Sequence, residues 1–331
     1  MISLLIKSSI GIEMDAQEIR AVELKGKAKK PILRSWGRIQ LEPDTISDGM
    51  VRDPRKLGEA LTGLWKICKF KNRNVILGIL NQGVIVRKAD FPKVPDDKME
   101  GLIRYQAQSY LPIAVESAAL DYTIIGEYKA EEGDRREVLL IAAQLDMVNK
   151  FLQGIEQSKI KLRDITVAPL ALLNAIPANI VQGTVIIVDI ANELGCLLGV
   201  INGIPRFVRS LKIRLWDAVD SMPLLSDPMG LHFTEEQLTS LNEALYNEIR
   251  YSINYFLTQE GLNSIDKIIL SGCGSRIQGI KNALQEAFGV AVEFFDPSAV
   301  LSGLGKKNDD FKKQASDFAV CVGLAIMGLG G

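Results

Sequence analysis

Two carboxylates stand at matching places in two similar stretches of this 331-residue sequence. Glu13 closes the apolar run "IGIE", and Asp189 closes the apolar run "IIVD" 176 residues later. In each stretch a turn and two further predicted strands follow the carboxylate. A carboxylate at the end of a strand can hold a magnesium ion or orient a water bound to it. The repeat predicts two homologous lobes that face each other across a cleft.

A glycine turn in the second half of the chain could face the same cleft. The segment "SGCGSRIQG" places Gly272 and Gly274 between a predicted strand and a predicted helix. Bare backbone N–H groups at such a turn can approach a ligand closely. The same pattern also serves tight strand-to-helix turns that bind nothing. Arg209, on the third strand of the second repeat, is a further candidate cleft residue.

Composition excludes several other classes of site. A net charge of −1 gives no electrostatic field that would favour nucleic acid. The single histidine, His232, removes most histidine-based catalysis and most transition-metal sites, and we expect it at the surface beside a helix start. No CxxC pair is present, so the cysteines are predicted to be buried thiols in a reducing, cytoplasmic compartment. They are Cys68, Cys196, Cys273 and Cys321.

The elements that must position these residues fall into five predicted segments. Strands and one helix form a first lobe over 1–83, and the chain returns to that lobe over 163–182. A second lobe is predicted for 183–313. The apolar segment within 314–331 is shorter than the roughly 20 residues of a membrane crossing, so it is predicted to be a helix that packs back on the core. Residues 84–162 are predicted to be an inserted α+β unit.

The predicted inserted unit has its own helix and turn signals. A strand is followed by the helix "DDKMEGLIRYQAQSYLP", which has Asp96 and Asp97 at its N-terminal end. Pro112 stops that helix. Two strands then flank the polar loop 130–136, and a further helix and strand complete the unit.

Together these segments resemble the actin-like ATPase superfamily, and within it the branch of the cell-division protein FtsA and the type IV pilus assembly protein PilM. The resemblance rests on the opening hairpin, on "VDIANELGCLLGVINGIPRFVRSL", on "IILSGCGSRIQGI" and on the closing helix. The inserted stretch "RYQAQSYLPIAVESAALDYTIIGEY" is similar to PilM in particular. The resemblance implies an α/β, actin-like (ribonuclease H-like, duplicated) two-lobed fold with an inserted subdomain at the position called 1C.

The resemblance also implies a partner. Such a protein would be a scaffold at the cytoplasmic face of the bacterial inner membrane. It would bind the cytoplasmic N-terminal peptide of a PilN-like single-pass membrane protein and link the pilus platform to motor ATPases. The peptide would lie in a groove beside the insertion. The candidate groove residues are Arg104, Tyr105, Gln108, Tyr110, Leu111 and Pro112. Each could instead be a core residue or a solvated one.

ATP with magnesium is the cofactor that the resemblance implies, but the first hairpin departs from the family pattern. Nucleotide-binding relatives carry small Gly, Ser or Thr donors in this turn, where the present chain has Asp15, Gln17 and Glu18. A carboxylate about 4 Å from a phosphate charge costs roughly 4 kcal/mol at an effective dielectric constant of about 20. We therefore expect weak or absent nucleotide binding and no hydrolysis. The candidate nucleotide residues are Glu13, Asp15, Asp189, Arg209, Gly272 and Gly274.

Three alternatives differ in function class. The first is an ATP-switched, FtsA-like protein that polymerises or changes partner affinity. The second is a platform component of a type II secretion system that resembles GspL, and the third is a sugar kinase, for which no sugar-binding cluster is evident. Self-association is compatible with each. The basic turn "KGKAKKP" could touch anionic lipid, but recruitment to the membrane through a protein partner is expected.

Overall fold

A computed structural model describes residues 7–192, 194–212 and 234–330, so the expectation for His232 lies outside the described residues. The strands are β1 (Ser8–Met14), β2 (Glu18–Lys27), β3 (Lys30–Gln40), β4 (Ile46–Ser47), β5 (Met50–Val51), β6 (Asn74–Ile79), β7 (Val84–Pro92), β8 (Ala118–Ala130), β9 (Gly133–Gln144), β10 (Lys161–Val167), β11 (Thr184–Ile190), β12 (Leu194–Ile201), β13 (Ile204–Lys212), β14 (Lys267–Ser271) and β15 (Ala291–Phe294). The helices are α1 (Pro54–Cys68), α2 (Asp96–Gln106), α3 (Leu145–Gln157), α4 (Ala168–Leu173), α5 (Glu235–Glu260), α6 (Ile280–Phe288), α7 (Asp309–Gln314) and α8 (Ala319–Gly330).

Two five-stranded sheets repeat one topology. The first has the order β10-β6-β1-β2-β3, and the second has the order β13-β12-β11-β14-β15. The strands β1 and β11 are each antiparallel to the next strand in the chain and parallel to a later one. Glu13 and Asp189 are the penultimate residues of these two strands, where they pair with Gly78 and Ser271. The fold is therefore the duplicated, two-lobed actin-like fold that the sequence predicts.

Helix α8 packs into the first lobe, against β1, β2 and α4. Its backbone comes so close to β1 that a Cβ atom on Gly11 would lie 2.1 Å from the carbonyl oxygen of Cys321. This close approach fits an apolar helix in which most residues are buried. Within the described ranges, every helix falls short of the length and apolarity that a bilayer crossing requires.

The insertion forms a third sheet of order β7-β9-β8. Val138, Leu140 and Ala142 of β9 point into a small core with α2, whereas the alternate residues Ile141 and Ala143 face the other side of the sheet. All four cysteines named above are buried free thiols, as predicted.

The end of the insertion differs from the sequence expectation. Helix α3 packs on α1 of the first lobe, where Gly154 lies against Leu57. The next strand, β10, pairs with β6 in the first sheet. The apolar face of α3 thus matches the first lobe and not the inserted sheet. We propose that the inserted unit spans 84–144 and that the chain rejoins the first lobe at 145, ahead of the expected boundary at 162.

Candidate functional site

The turn between β1 and β2 is closed by its own acidic side chain. The backbone N–H groups of Gln17 and Glu18 donate to Asp15 Oδ1 at 2.9 and 3.0 Å. The other oxygen of Asp15 accepts a hydrogen bond from Asn192 Nδ2 at 2.9 Å, which links the hairpins of the two lobes. Aspartate commonly bonds the backbone two residues on in this way. The turn amides that would face a phosphate in nucleotide-binding relatives are therefore already occupied by a carboxylate.

Arg20 of β2 fills the base of this turn. Its guanidinium is buried and lies 3.3 Å from Glu13, 3.1 Å from Asp15 and 2.9 Å from Glu18. Burial opposes the charged form, but the three carboxylates outweigh it and raise the pKa of Arg20 above its ordinary value. The sequence offers a signal for this group, because an arginine inside the buried run "EIRAVEL" needs charged partners. A cation that could have met a phosphate is thus neutralised within the protein.

Glu13 and Asp189 approach each other from the two lobes, as the repeat predicts. Burial, together with the negative charge of Asp189, raises the pKa of Glu13 to about 8, although Arg20 opposes the shift. Burial also raises the pKa of Asp189, although Ser271 and Arg20 oppose the shift. At neutral pH the Glu13 side chain is therefore mostly a neutral carboxylic acid.

The cavity between these carboxylates is small. Its volume is about 40 Å³; Asp15 also lines it, and the other walls are small or apolar residues from both lobes. A single water needs about 10–15 Å³ on this scale, so the cavity has room for a few waters. Within the described ranges, no group of three His, Cys, Asp or Glu side chains is arranged to hold a metal ion. The fold is one in which a nucleotide can be held between lobes, and at this position Asp15 and Arg20 are bonded to each other and to the first turn.

The two glycines of the second-lobe turn serve close packing. Gly272 has φ +80°, and a Cβ atom there would lie 2.4 Å from the carbonyl oxygen of Ile190. A Cβ atom on Gly274 would lie 2.2 Å from Ile190 Cγ2. The N–H of Gly272 donates to the carbonyl oxygen of Ser316 at 3.3 Å. The turn therefore presses against the end of β11, and this glycine amide is already used within the protein.

A second charged network, which the sequence did not single out, ties the lobes together beside the cleft. The Asp317 carboxylate is fully buried and accepts a hydrogen bond from Arg38 Nη2 at 2.8 Å. Arg276, from the glycine turn of the second lobe, also pairs with Asp317. Arg38 reaches on to Glu18 at 3.3 Å. The network therefore connects β3, the opening hairpin and the second lobe through Glu18 and Asp317.

Arg209 is a correction to the sequence analysis, because it does not reach the cleft. It lies on β13, the outer strand of the second sheet, and its guanidinium stacks over the ring of Tyr251 at 4.9 Å. The groove that it lines is formed with β7 of the insertion. The strand order thus carries Arg209 away from Glu13 and Asp189.

Three of the six candidate groove residues on the insertion hold the local fold. The Gln108 side chain donates to the carbonyl oxygen of Ile113 at 3.3 Å and accepts from Val115 N–H at 3.2 Å. The Tyr110 hydroxyl donates to the carbonyl oxygen of Asp90 at 2.8 Å, and Leu111 is buried. These side chains form hydrogen bonds or core contacts within the insertion.

The other three candidates are exposed. Tyr105 is 86% exposed, and Arg104 and Pro112 also face solvent. All three belong to the α2 side of the inserted sheet. They were grouped because their segment is similar to PilM, and that similarity does not reveal on which face of the sheet the helix packs.

A groove does lie on the opposite side of the insertion, where it meets the first lobe. It has a volume of about 240 Å³ and is lined by Ala119–Asp121 of β8, Asp164–Val167 of β10 and apolar residues such as Ile141. In the described sheets, β8 and β10 are both outer strands. We call it the β8–β10 groove. Two open strand edges, an apolar floor and two exposed aspartates, Asp121 and Asp164, therefore meet in one place.

The chain matches known proteins over most of its length. Residues 11–208 and 226–329 match the family described as type IV pilus assembly protein PilM. A solved structure titled "PilM-PilN type IV pilus biogenesis complex" is similar with a TM-score of 0.84 and 23% identity, over 98% of this chain and 99% of that one. The ethanolamine utilization protein EutJ from Carboxydothermus hydrogenoformans is similar with a TM-score of 0.51 and 9% identity, over 98% of this chain and 93% of that one. On the extent of the family match, this chain belongs to the PilM family of type IV pilus assembly proteins.

Proposed function

We propose that this protein is a scaffold of type IV pilus assembly that binds the cytoplasmic N-terminal peptide of a PilN-like membrane protein in the β8–β10 groove. Family membership and the similarity to a PilM–PilN complex support the pilus role. The observation that carries the site is the meeting of two outer strands over an apolar floor. An extended peptide gains main-chain hydrogen bonds from such an edge and specificity from pockets for alternate side chains.

The charge of the groove suits this partner. Asp121 and Asp164 are exposed at its rim, and neither has a cationic partner within salt-bridge distance among the described residues. Cytoplasmic segments next to a membrane span carry an excess of Lys and Arg. A basic, partly apolar peptide therefore matches both the rim and the floor. The exposed Tyr105 stays a predicted contact for parts of the partner outside the groove.

We further propose that the scaffold functions with weak nucleotide binding or with none. The turn amides are occupied by Asp15, and Arg20 is paired with Asp15 and Glu18. A magnesium ion at Glu13 would first have to displace a proton. Phosphoryl transfer depends on positioning and charge neutralisation, and this cleft supplies neither. We propose that the protein reaches the cytoplasmic face of the inner membrane through its partner and relays contact to motor ATPases.

Titration of the full-length protein with a synthetic peptide of the PilN-like partner tests the groove. Exchanging both rim carboxylates, by Asp121→Lys with Asp164→Lys, is expected to weaken binding about tenfold or more, since it reverses the attraction to a basic peptide. Ala119→Arg should weaken binding as well, because it places a long side chain at the open edge of β8. Thr123→Arg is the matched control, since Thr123 is exposed on the same strand beyond the groove. Unchanged affinity in both groove variants would refute the assignment.

A further inference from the structure

A second groove lies on the other side of the inserted sheet, where it meets the second lobe. Val84–Arg87 of β7 and Phe207–Ser210 of β13 form two of its walls, and Tyr251 and Tyr255 of α5 form a third. Its volume is about 420 Å³, roughly ten times that of the interlobe cavity. In the described sheets, β7 pairs only with β9, and β13 pairs only with β12. We call it the β7–β13 groove.

The charge of this groove is unbalanced. Its charged lining residues are Arg87 and Arg209, and neither has a carboxylate within salt-bridge distance in the described parts of the chain. The cations next to them are paired, because Lys88 and Arg206 both contact Glu137, at 3.0 and 2.7 Å. Arg87 and Arg209 thus give the groove a net positive charge.

The aromatic wall holds one of these cations in place. Arg209 stacks on Tyr251, which is 62% exposed, and Tyr255 packs on Phe207 with ring centres 5.7 Å apart. A stacked guanidinium keeps its N–H edge free to grip a carboxylate with two parallel hydrogen bonds. Exposed tyrosines supply contact area at a low cost in side-chain entropy. Both features are typical of a surface that binds another protein.

We propose that the β7–β13 groove is a second docking site, which takes an acidic, extended segment of a protein partner. Two arginines on opposite walls match a few carboxylates, whereas a nucleic acid would need a continuous basic surface. The open edges of β7 and β13 and the apolar Val84 and Phe207 match a peptide whose acidic and apolar residues alternate. This site is separate from the β8–β10 groove and has the opposite charge preference.

A labelled short peptide in which Glu and Val alternate tests the proposal by fluorescence anisotropy on the full-length protein. We expect saturable binding that weakens with salt. The double variant Arg87→Glu, Arg209→Glu should lower the affinity about tenfold or more. Arg209→Met keeps the stem that packs on Tyr251 but removes the charge, so it should lower affinity without loss of the fold. Arg250→Glu is the matched control. Arg250 is exposed on α5, the helix that carries Tyr251, but its guanidinium stacks on Tyr246.

Three results would overturn the proposal. The first is absence of binding by the natural protein, and the second is binding that the double variant leaves unchanged. The third is equal binding of a peptide in which Lys and Val alternate, or full competition by a single-stranded DNA oligonucleotide, since either would point to a different chemistry. Circular dichroism melts of every variant separate loss of binding from loss of fold. The peptide of the PilN-like partner serves as an independent readout, which these variants should not change.

Discussion

Replacing Glu13 by glutamine should change how the stability of the protein depends on pH. The pKa of Glu13 is about 8 in the folded protein, against an ordinary value of 4.5. Between these values the folded protein holds a proton that the unfolded chain has released. The stability from protonated Glu13 is therefore complete below a pH of about 4.5 and is lost as pH rises through about 8. Each pH unit in this window lowers the free energy of unfolding by about 1.4 kcal/mol, or about 5 kcal/mol in total.

Glutamine has the shape of the protonated side chain but cannot release a proton. Urea denaturation at several pH values from about 5 to about 8 should show that Glu13→Gln removes about 1.4 kcal/mol per pH unit from the slope. The free energy of unfolding of the variant should therefore rise relative to that of the natural protein as pH rises. Glu59→Gln, a change at an exposed glutamate of α1, is the control and should keep the natural slope. If Glu13→Gln keeps the natural slope as well, Glu13 does not carry the buried proton and the reasoning is refuted.

Three further predictions concern the cleft and its supports. Asp15→Gly frees the turn amides and is expected to tighten Mg-ATP binding about a thousandfold in titration calorimetry, whereas equal heats for both proteins would contradict the role of this carboxylate. Asp317→Asn removes the buried charge between two arginines and should cost about 3 kcal/mol in urea denaturation; a loss under about 1 kcal/mol would mean that the network does not hold the lobes. Gly274→Ala should lower stability by about 2 kcal/mol or more, while Gly305→Ala, with open space around its Cβ position, should be nearly neutral in the same assay. Similar losses in both glycine variants would contradict the packing argument.

The duplicated two-lobed topology could be predicted because short sequence patterns indicate its strands. Glu13 and Asp189 each end a continuous apolar run, and such runs identify buried strands. The insertion was recognisable from its proline and its polar turn. The end that we propose for it differs from the predicted one because α3 packs on α1, with Gly154 against Leu57, and β10 pairs with β6.

The details of the cleft depend on contacts that no local pattern contains. The acidic turn was interpreted as a source of repulsion toward phosphate, but Asp15 also closes the turn itself and bonds Asn192, 177 positions away. Arg209, on the third strand of the second repeat, was a candidate cleft residue, whereas the edge position of β13 puts it beside the insertion. Predicting these partners would require knowing how the two lobes meet.

The close fit of α8 has a consequence for how the protein is made. The first lobe combines β1 with β10 and with α8, so its core contains segments from early, middle and late in the chain. Synthesis on the ribosome delivers these segments in that order. The position beside Gly11 that α8 occupies cannot be filled until residues 319–330 have left the ribosome, long after β8 and β10. The lobe that borders the β8–β10 groove is thus completed only after residues 319–330 have been synthesised.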